Sequence, residues 1–207
     1  MLDLGANVEC DADNLVQFAV MGEVFARNVL GLEQPSIGIL NVGAEGLKGN
    51  VAVKDAAATL QRTDLPIRFY GFVEGDDIGA GTVDVIVTDG FTGNIALKTA
   101  EGTAMLFGQF LKEALSSSLL SRLGGLLARS ALNTFRKRVD PRRYNGAVLL
   151  GLNGICVKSH GGTDGLGFAN AIHLAVEMVV HGFNEGIKRD LAHLSTAQQT
   201  LRRAAAG

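Results

Sequence analysis

Cysteine is scarce in this 207-residue chain: Cys10 and Cys156 are the only two, far apart and in apolar surroundings. A disulfide framework needs more cysteines than that, and neither a Cys-x-x-Cys pair nor a Cys/His metal spacing occurs. The expectation is a reduced, cytoplasmic protein without a metal or another cofactor. Long hydrophobic runs are missing too. No stretch reaches the ~18 apolar residues of a membrane-spanning helix, and no basic-then-apolar leader opens the chain. A Gly-x-Gly-x-x-Gly after a strand, with an acidic residue about 20 positions on, is likewise absent, which disfavours a nicotinamide dehydrogenase. Basic residues interleaved with aromatics do not occur, so no nucleic-acid partner is expected.

Glycine is what the chain has in excess: 27 residues, against a usual share of about 7%. The glycines fall at the ends of apolar runs, not in repeats, and so predict many tight loops. With 47% hydrophobic and 19% charged residues, the composition is that of a folded chain able to bury a core. The net charge of −2 hides an asymmetry. Residues 109–143 carry eight Lys/Arg against Glu113 and Asp140, a local +6 that leaves −8 elsewhere. That segregation predicts a local basic surface.

Apolar runs alternate with helical stretches, the pattern of one α/β domain over 1–207 with a mostly parallel sheet flanked by helices. "MLDLGANVEC" reads as a strand and its loop with no lead-in, as if the sequence began inside a domain. A helix is predicted over 12–30, with Asp11 or Asp13 as its cap, and a buried strand over 36–42. Another helix follows at 51–63, then strands in "PIRFYG", at 83–88 and in "GICVKSH", and a long helix from about 169 to 191. The tail from residue 195 has little to bury. Between about 101 and 138 lies a helical hairpin. Phe107, Leu111, Leu115, Leu119, Leu123 and Leu127 recur every four residues, and Arg122, Arg129 and Arg136 every seven, with Ser116, Ser117 and Ser118, and then Gly124 and Gly125, interrupting the pattern. Two readings stand for this hairpin. Its leucines, Leu126 included, either bury against a partner's copy or insert into a membrane surface while Arg122 and Arg129 reach head groups.

Three loops follow predicted strands and are candidates to share one cleft beyond the carboxyl ends of the sheet. The first, "NVGAEGLKGN", offers Glu45, Lys48, Gly49 and Asn50; Lys48 supplies a positive charge for phosphate, or else the loop is a turn with a solvated lysine. The second, "TDGFTGN", offers Asp89, Gly90, Thr92, Gly93 and Asn94. Asp89 can close an Asx turn or serve as a cap, Thr92 can cap the following helix, and the same geometry makes an anion site from exposed N–H groups and the Asn94 amide. The third, "KSHGGTDG", offers Ser159 and His160, the histidine best placed for acid/base work. His173 and His181 lie eight apart on one helix, too far to share a metal.

These blocks, with "VDVIVTDGFTGNIALKTAEG" and "GAVLLGLNGICVKSHGGTD", occur in an order and spacing that resembles the bacterial phosphate acyltransferases of phospholipid synthesis, the PlsX family. The resemblance runs from "LDLGAN" to the last helix and leaves the family's N-terminal third outside this sequence. It departs from the family at Asn145 and Val148, where Gly and Pro are usual, and in a glutamate-thinned "GAEGLKGN". The resemblance implies a fold similar to isocitrate/isopropylmalate dehydrogenases and phosphate acetyltransferases, and a homodimer held peripherally at an anionic membrane. It also implies an enzyme that moves a fatty acyl group from acyl carrier protein to inorganic phosphate. An acyl-CoA donor and a non-catalytic dimerising module are the alternatives.

On that chemistry the enzyme needs position and charge stabilisation more than a strong base. Lys48, Gly49 and Asn50 are expected at phosphate. Asn94 and the N–H groups of 90–93 are expected at the carbonyl oxygen, and His160 at phosphate or the departing thiolate. The arginines of "RKRVDPRR", 136–143, suit either acidic carrier protein or anionic lipid.

Overall fold

The computed structural model describes residues 1–63, 67–138, 140 and 145–193. Val139 and the 141–143 part of the basic segment, and the tail from 194, lie outside the described residues.

The chain enters through a one-residue bridge, Leu2, and then α1, Ala12–Asn28. Asp11 caps α1: its carboxylate accepts the Asn14 N–H while Asn14 accepts the Asp11 N–H, so two end donors are satisfied reciprocally. Nearly every residue of α1 from Leu15 to Ala26 is buried, which makes it the central helix of the fold. β1, Ser36–Leu40, leads into α2, Val51–Arg62, and then β2, Arg68–Val73. After the single turn and a half of α3, Gly75–Ala80, comes β3, Val85–Val87.

The sheet order is β2-β1-β3 and every pairing is parallel, with Leu2 bridging to Val87 on the far side of β3. From β1 the chain steps to β2 on one side, then returns past β1 to β3 on the other. Open parallel sheets bind ligands beyond the carboxyl ends of the strands where the order reverses in this way, here between β1 and β3. One face of the sheet, through Ile37, Ile39, Val85 and Val87, packs on α1, and the same core takes in Ala56, Ala57 and Leu60 of α2. The other face carries a smaller cluster of Val73, Val83 and Ile86.

Beyond β3, α4 runs unbroken from Gly90 to Ser116, so the projecting arm starts at the sheet edge and not at residue 101. α5, Leu119–Leu127, turns back where Ser118 caps it through the Ser121 N–H, and α6, Arg129–Arg138, follows. The four-residue leucine stripe and the seven-residue arginine line are therefore each divided. Leu115 belongs to α4 and Leu119 to α5, while Arg122 is on α5 and Arg129 and Arg136 are on α6. A fixed spacing marks one line only on one continuous helix.

"GICVKSH" does not join the parallel sheet. β4, Ala147–Val148, and β5, Val157–Lys158, pair antiparallel as a separate hairpin. Only eight residues separate them, enough for a reversal, whereas a parallel partner needs a crossover of about a dozen. The predicted long C-terminal helix divides into α7, Gly165–Val180, and α8, Phe183–His193, bent by 56° at His181–Gly182. Among the described residues no single helix is long and apolar enough to cross a membrane.

Candidate active site

At the β1 edge, the Asn41 carboxamide donates to the Gly43 and Lys48 carbonyls, at 3.0 and 3.1 Å, and so folds the 43–48 loop back on itself. Lys48 lies across Gly43, with Nζ 2.9 Å from Glu45 Oε2. Hydrogen bonding within this pair raises the lysine pKa and lowers that of the glutamate. Both side chains remain open to solvent, where such a pair is worth little and is easily exchanged for another anion. Asn50 caps α2 by accepting the Val53 N–H at 2.9 Å.

At the β3 edge, Asp89 caps α4: its carboxylate takes both the Thr92 N–H and the Thr92 hydroxyl at 2.8 Å. Three of the four N–H groups over 90–93, expected to face a bound oxyanion, donate instead to protein oxygens. Gly90 donates to Asn7 O at 2.7 Å, Thr92 to Asp89, and Gly93 to Asp89 O at 2.9 Å. The helix end already holds a carboxylate, which compensates its partial positive charge. The side chain of Asn94 is exposed one residue on, beside Gly5.

The wall behind α4 is the amino-terminal loop, which residue-by-residue reading had not assigned to the site. Asp3, only 5% exposed, accepts the N–H groups of Gly5, Ala6 and Asn7 and the Asn7 amide at 2.6–3.0 Å. Burial pushes its carboxyl up, but the donors from Ala6, Asn7 and Gly5 outweigh that and hold it below the ordinary aspartate range. Gly90 and Gly93 are glycines because this loop comes so close. A Cβ on Gly90 would meet Asn7 O at 2.6 Å, and one on Gly93 would collide with the Asp3 carbonyl. The available signal was the same one used elsewhere, a strand ending in an Asp, Gly and Asn loop.

The third loop stands on the antiparallel hairpin. Asn145 accepts the His160 N–H at 2.9 Å and donates to Ser159 Oγ and the Gly167 carbonyl, at 2.9 and 2.8 Å. His160 Nδ1 accepts the Gly162 N–H at 3.1 Å, so in the neutral ring Nε2 carries the proton. The His160 side chain is exposed and Ser159 half-buried. The loops bearing Lys48 and Asn94 thus leave neighbouring strands of one sheet, with the Asp3–Asn7 loop next in line. Ser159 and His160 are carried by a different sheet. No group of three or more His, Cys, Asp or Glu poised for a metal occurs among the described residues.

A family model described as fatty acid synthesis protein matches residues 1–186. The chain is 65% identical over 207 residues to the phosphate acyltransferase of Paramagnetospirillum magneticum, covering 100% of this chain and 59% of that protein. It is 63% identical over 201 residues to the phosphate acyltransferase of Rhodospirillum rubrum, covering 97% and 58% respectively. With that of Rhodospirillum centenum the identity is 66% over 197 residues, covering 95% and 56%. The chain therefore spans under three fifths of the length of these curated relatives.

Proposed function

Because the chain belongs to the fatty acid synthesis protein family, with relatives named phosphate acyltransferase, we propose that it takes part in acyl transfer from an acyl carrier protein thioester to inorganic phosphate. The observation that carries this reading is the pairing of two loops on one edge of a parallel sheet. One brings the exposed cation Lys48 and the other the exposed amide Asn94, at the place where such sheets bind ligands. The dehydrogenase-like fold expected from the resemblance belongs to the same proposal.

In this mechanism a phosphate oxygen attacks the thioester carbonyl carbon, the carbon–sulfur bond breaks, and an acyl phosphate and a free thiol result. Net, one proton passes from hydrogen phosphate to the thiolate. Lys48 exchanges its Glu45 partner for phosphate, as an exposed ion pair can. Asn94 donates its amide to the carbonyl oxygen as negative charge gathers there. His160 hydrogen-bonds the departing thiolate from Nε2–H, and the thiolate takes its proton from hydrogen phosphate, directly or through water. Carrier protein is the favoured donor because it is acidic, and Arg136 and Lys137 on α6 extend the basic surface that attracts it. The exposed apolar faces of α4, at Phe107 and Phe110, and of α7, at Ile172, Val176 and Val179, support assembly as a homodimer. The leucines of α5 support peripheral contact with an anionic membrane from the cytoplasm.

Free thiol released from acyl carrier protein and from acyl-CoA, at equal concentration and with or without phosphate, tests the reading. Faster phosphate-dependent release from the carrier protein is expected. A preference for acyl-CoA reassigns the donor, and release from neither sinks the activity of this chain. In Asn94→Ala the turnover should fall about 10²–10³-fold; wild-type turnover would remove Asn94 from the mechanism.

A further inference from the structure

We infer that Asn145 is the positioning residue of the His160 loop: its carboxamide fixes which ring nitrogen His160 presents outward. The geometry stands on the contacts alone, and only its use in turnover rests on the acyl-transfer reading.

Asn145 lies just before β4, and His160 just after β5, at the open end of the same hairpin. Its one planar amide makes three hydrogen bonds to two separate pieces of chain, the Ser159–His160 pair and the start of α7. Oδ1 accepts the His160 N–H, and Nδ2 divides its two hydrogens between Ser159 Oγ and the carbonyl of Gly167 in the first turn of α7. A planar amide offers its acceptor and donors in fixed directions, so satisfying all three leaves the group no freedom to turn.

The order passes on through the main chain. With the His160 N–H held, its carbonyl accepts the Thr163 N–H at 3.1 Å, which closes a turn. Inside that turn the Gly162 N–H reaches back to His160 Nδ1. An imidazole whose Nδ1 accepts keeps its neutral-state proton on Nε2, the nitrogen left facing outward. The donor form of His160 is thus set by Asn145 through two intervening hydrogen bonds.

The hairpin has other support. Val148, Leu150, Ile155 and Val157 all pack against the main core, and the β4–β5 pairing does not involve the Asn145 side chain. Removing the carboxamide should therefore loosen the 159–163 turn and leave the hairpin standing. Asn145→Ala would leave the His160 N–H without its acceptor and take the amide donors from the Ser159 hydroxyl and the Gly167 carbonyl. Asn145→Asp would retain the acceptor for the His160 N–H and accept from the Ser159 hydroxyl, while losing the donor to the Gly167 carbonyl, which keeps its place in α7.

The test combines ¹⁵N NMR of the His160 ring with thiol-release kinetics on the whole chain and on Asn145→Ala and Asn145→Asp. In the neutral ring, the unsubstituted chain and Asn145→Asp should show the Nε2–H signature, and Asn145→Ala a mixture of tautomers. Turnover in Asn145→Ala should fall about tenfold, with KM for the thioester within about twofold, and Asn145→Asp should recover most of it. An unchanged tautomer in Asn145→Ala overturns the inference. So does equal loss in both variants that tracks only their folded fraction. If the unsubstituted chain releases no thiol, the acyl-transfer reading fails while the ring nitrogens still decide the role of Asn145.

Discussion

The carboxylate of Asp3 gathers four N–H donors in a space that almost excludes water, and so shapes the loop against which α4 begins. Its folded-state pKa is depressed, so it is ionised in the fold at a pH where a free aspartate would be protonated. The stability it contributes is therefore fully present above the ordinary aspartate value of about 3.9 and is lost as pH falls through the lower, folded value. Asp3→Asn should cost about 1–3 kcal/mol in urea unfolding at pH 7, because part-buried donors lose a charged acceptor. The gap to wild type should narrow as pH drops below about 3.9; a gap that stays constant down to pH 3 would contradict the assignment. Lys48, Asn94 and His160 were legible as candidates from residue type and position after a strand. Asp3 was not, because its role depends on α4 glycines far along the chain.

Single helices explain the arm that leaves the site. At 1.5 Å per residue, the 27 residues of α4 extend about 40 Å from the Asp89 cap. Beyond Leu115 the arm folds back, with Ser118 capping α5 and the Arg122 Nε donating to the Ser116 carbonyl at 3.3 Å. The outcome is a tip where Leu119 is 84% exposed, Leu120 and Leu127 are nearly as open, and Leu126 is also exposed. Replacing Leu119, Leu123, Leu126 and Leu127 with Ser should change stability by no more than about 0.5 kcal/mol per residue, since they support little of the fold. The same variant should lose co-sedimentation with anionic vesicles. Retained vesicle binding together with loss of the dimer, measured by light scattering, would assign these leucines to the subunit interface. The four-residue stripe and its interruption at Ser116, Ser117 and Ser118 were both readable in the sequence, and α4 ends and α5 begins there; the direction of the new helix axis was not, because spacing carries no information about it.

The whole molecule closes where the last helix returns to the first. Arg27 of α1 grips both oxygens of Glu23, at 2.8 and 3.1 Å, and reaches Asp190 of α8 at 2.9 Å. Nearby, Phe183 packs edge-on against Phe25, centroids 5.8 Å apart. Glu23 is only 4% exposed, so Arg27→Ala should strand a buried carboxylate. The expected cost is about 1–3 kcal/mol, read as a lower thermal midpoint; an unchanged midpoint would show that apolar packing alone seats α8. The alternation of strands and helices, and candidate caps at Asp11 and Asp89, followed from the sequence itself; that Asn50, expected at phosphate, caps α2 did not. Those features rest on hydrogen bonds and apolar periods within a few residues of one another. Only the tertiary structure decided that "GICVKSH" pairs antiparallel outside the main sheet, that Gly90 and Gly93 serve the Asp3 loop, and that Asn145 holds His160. Each of those depends on which distant segments pack together, and local spacing carries no information about that choice.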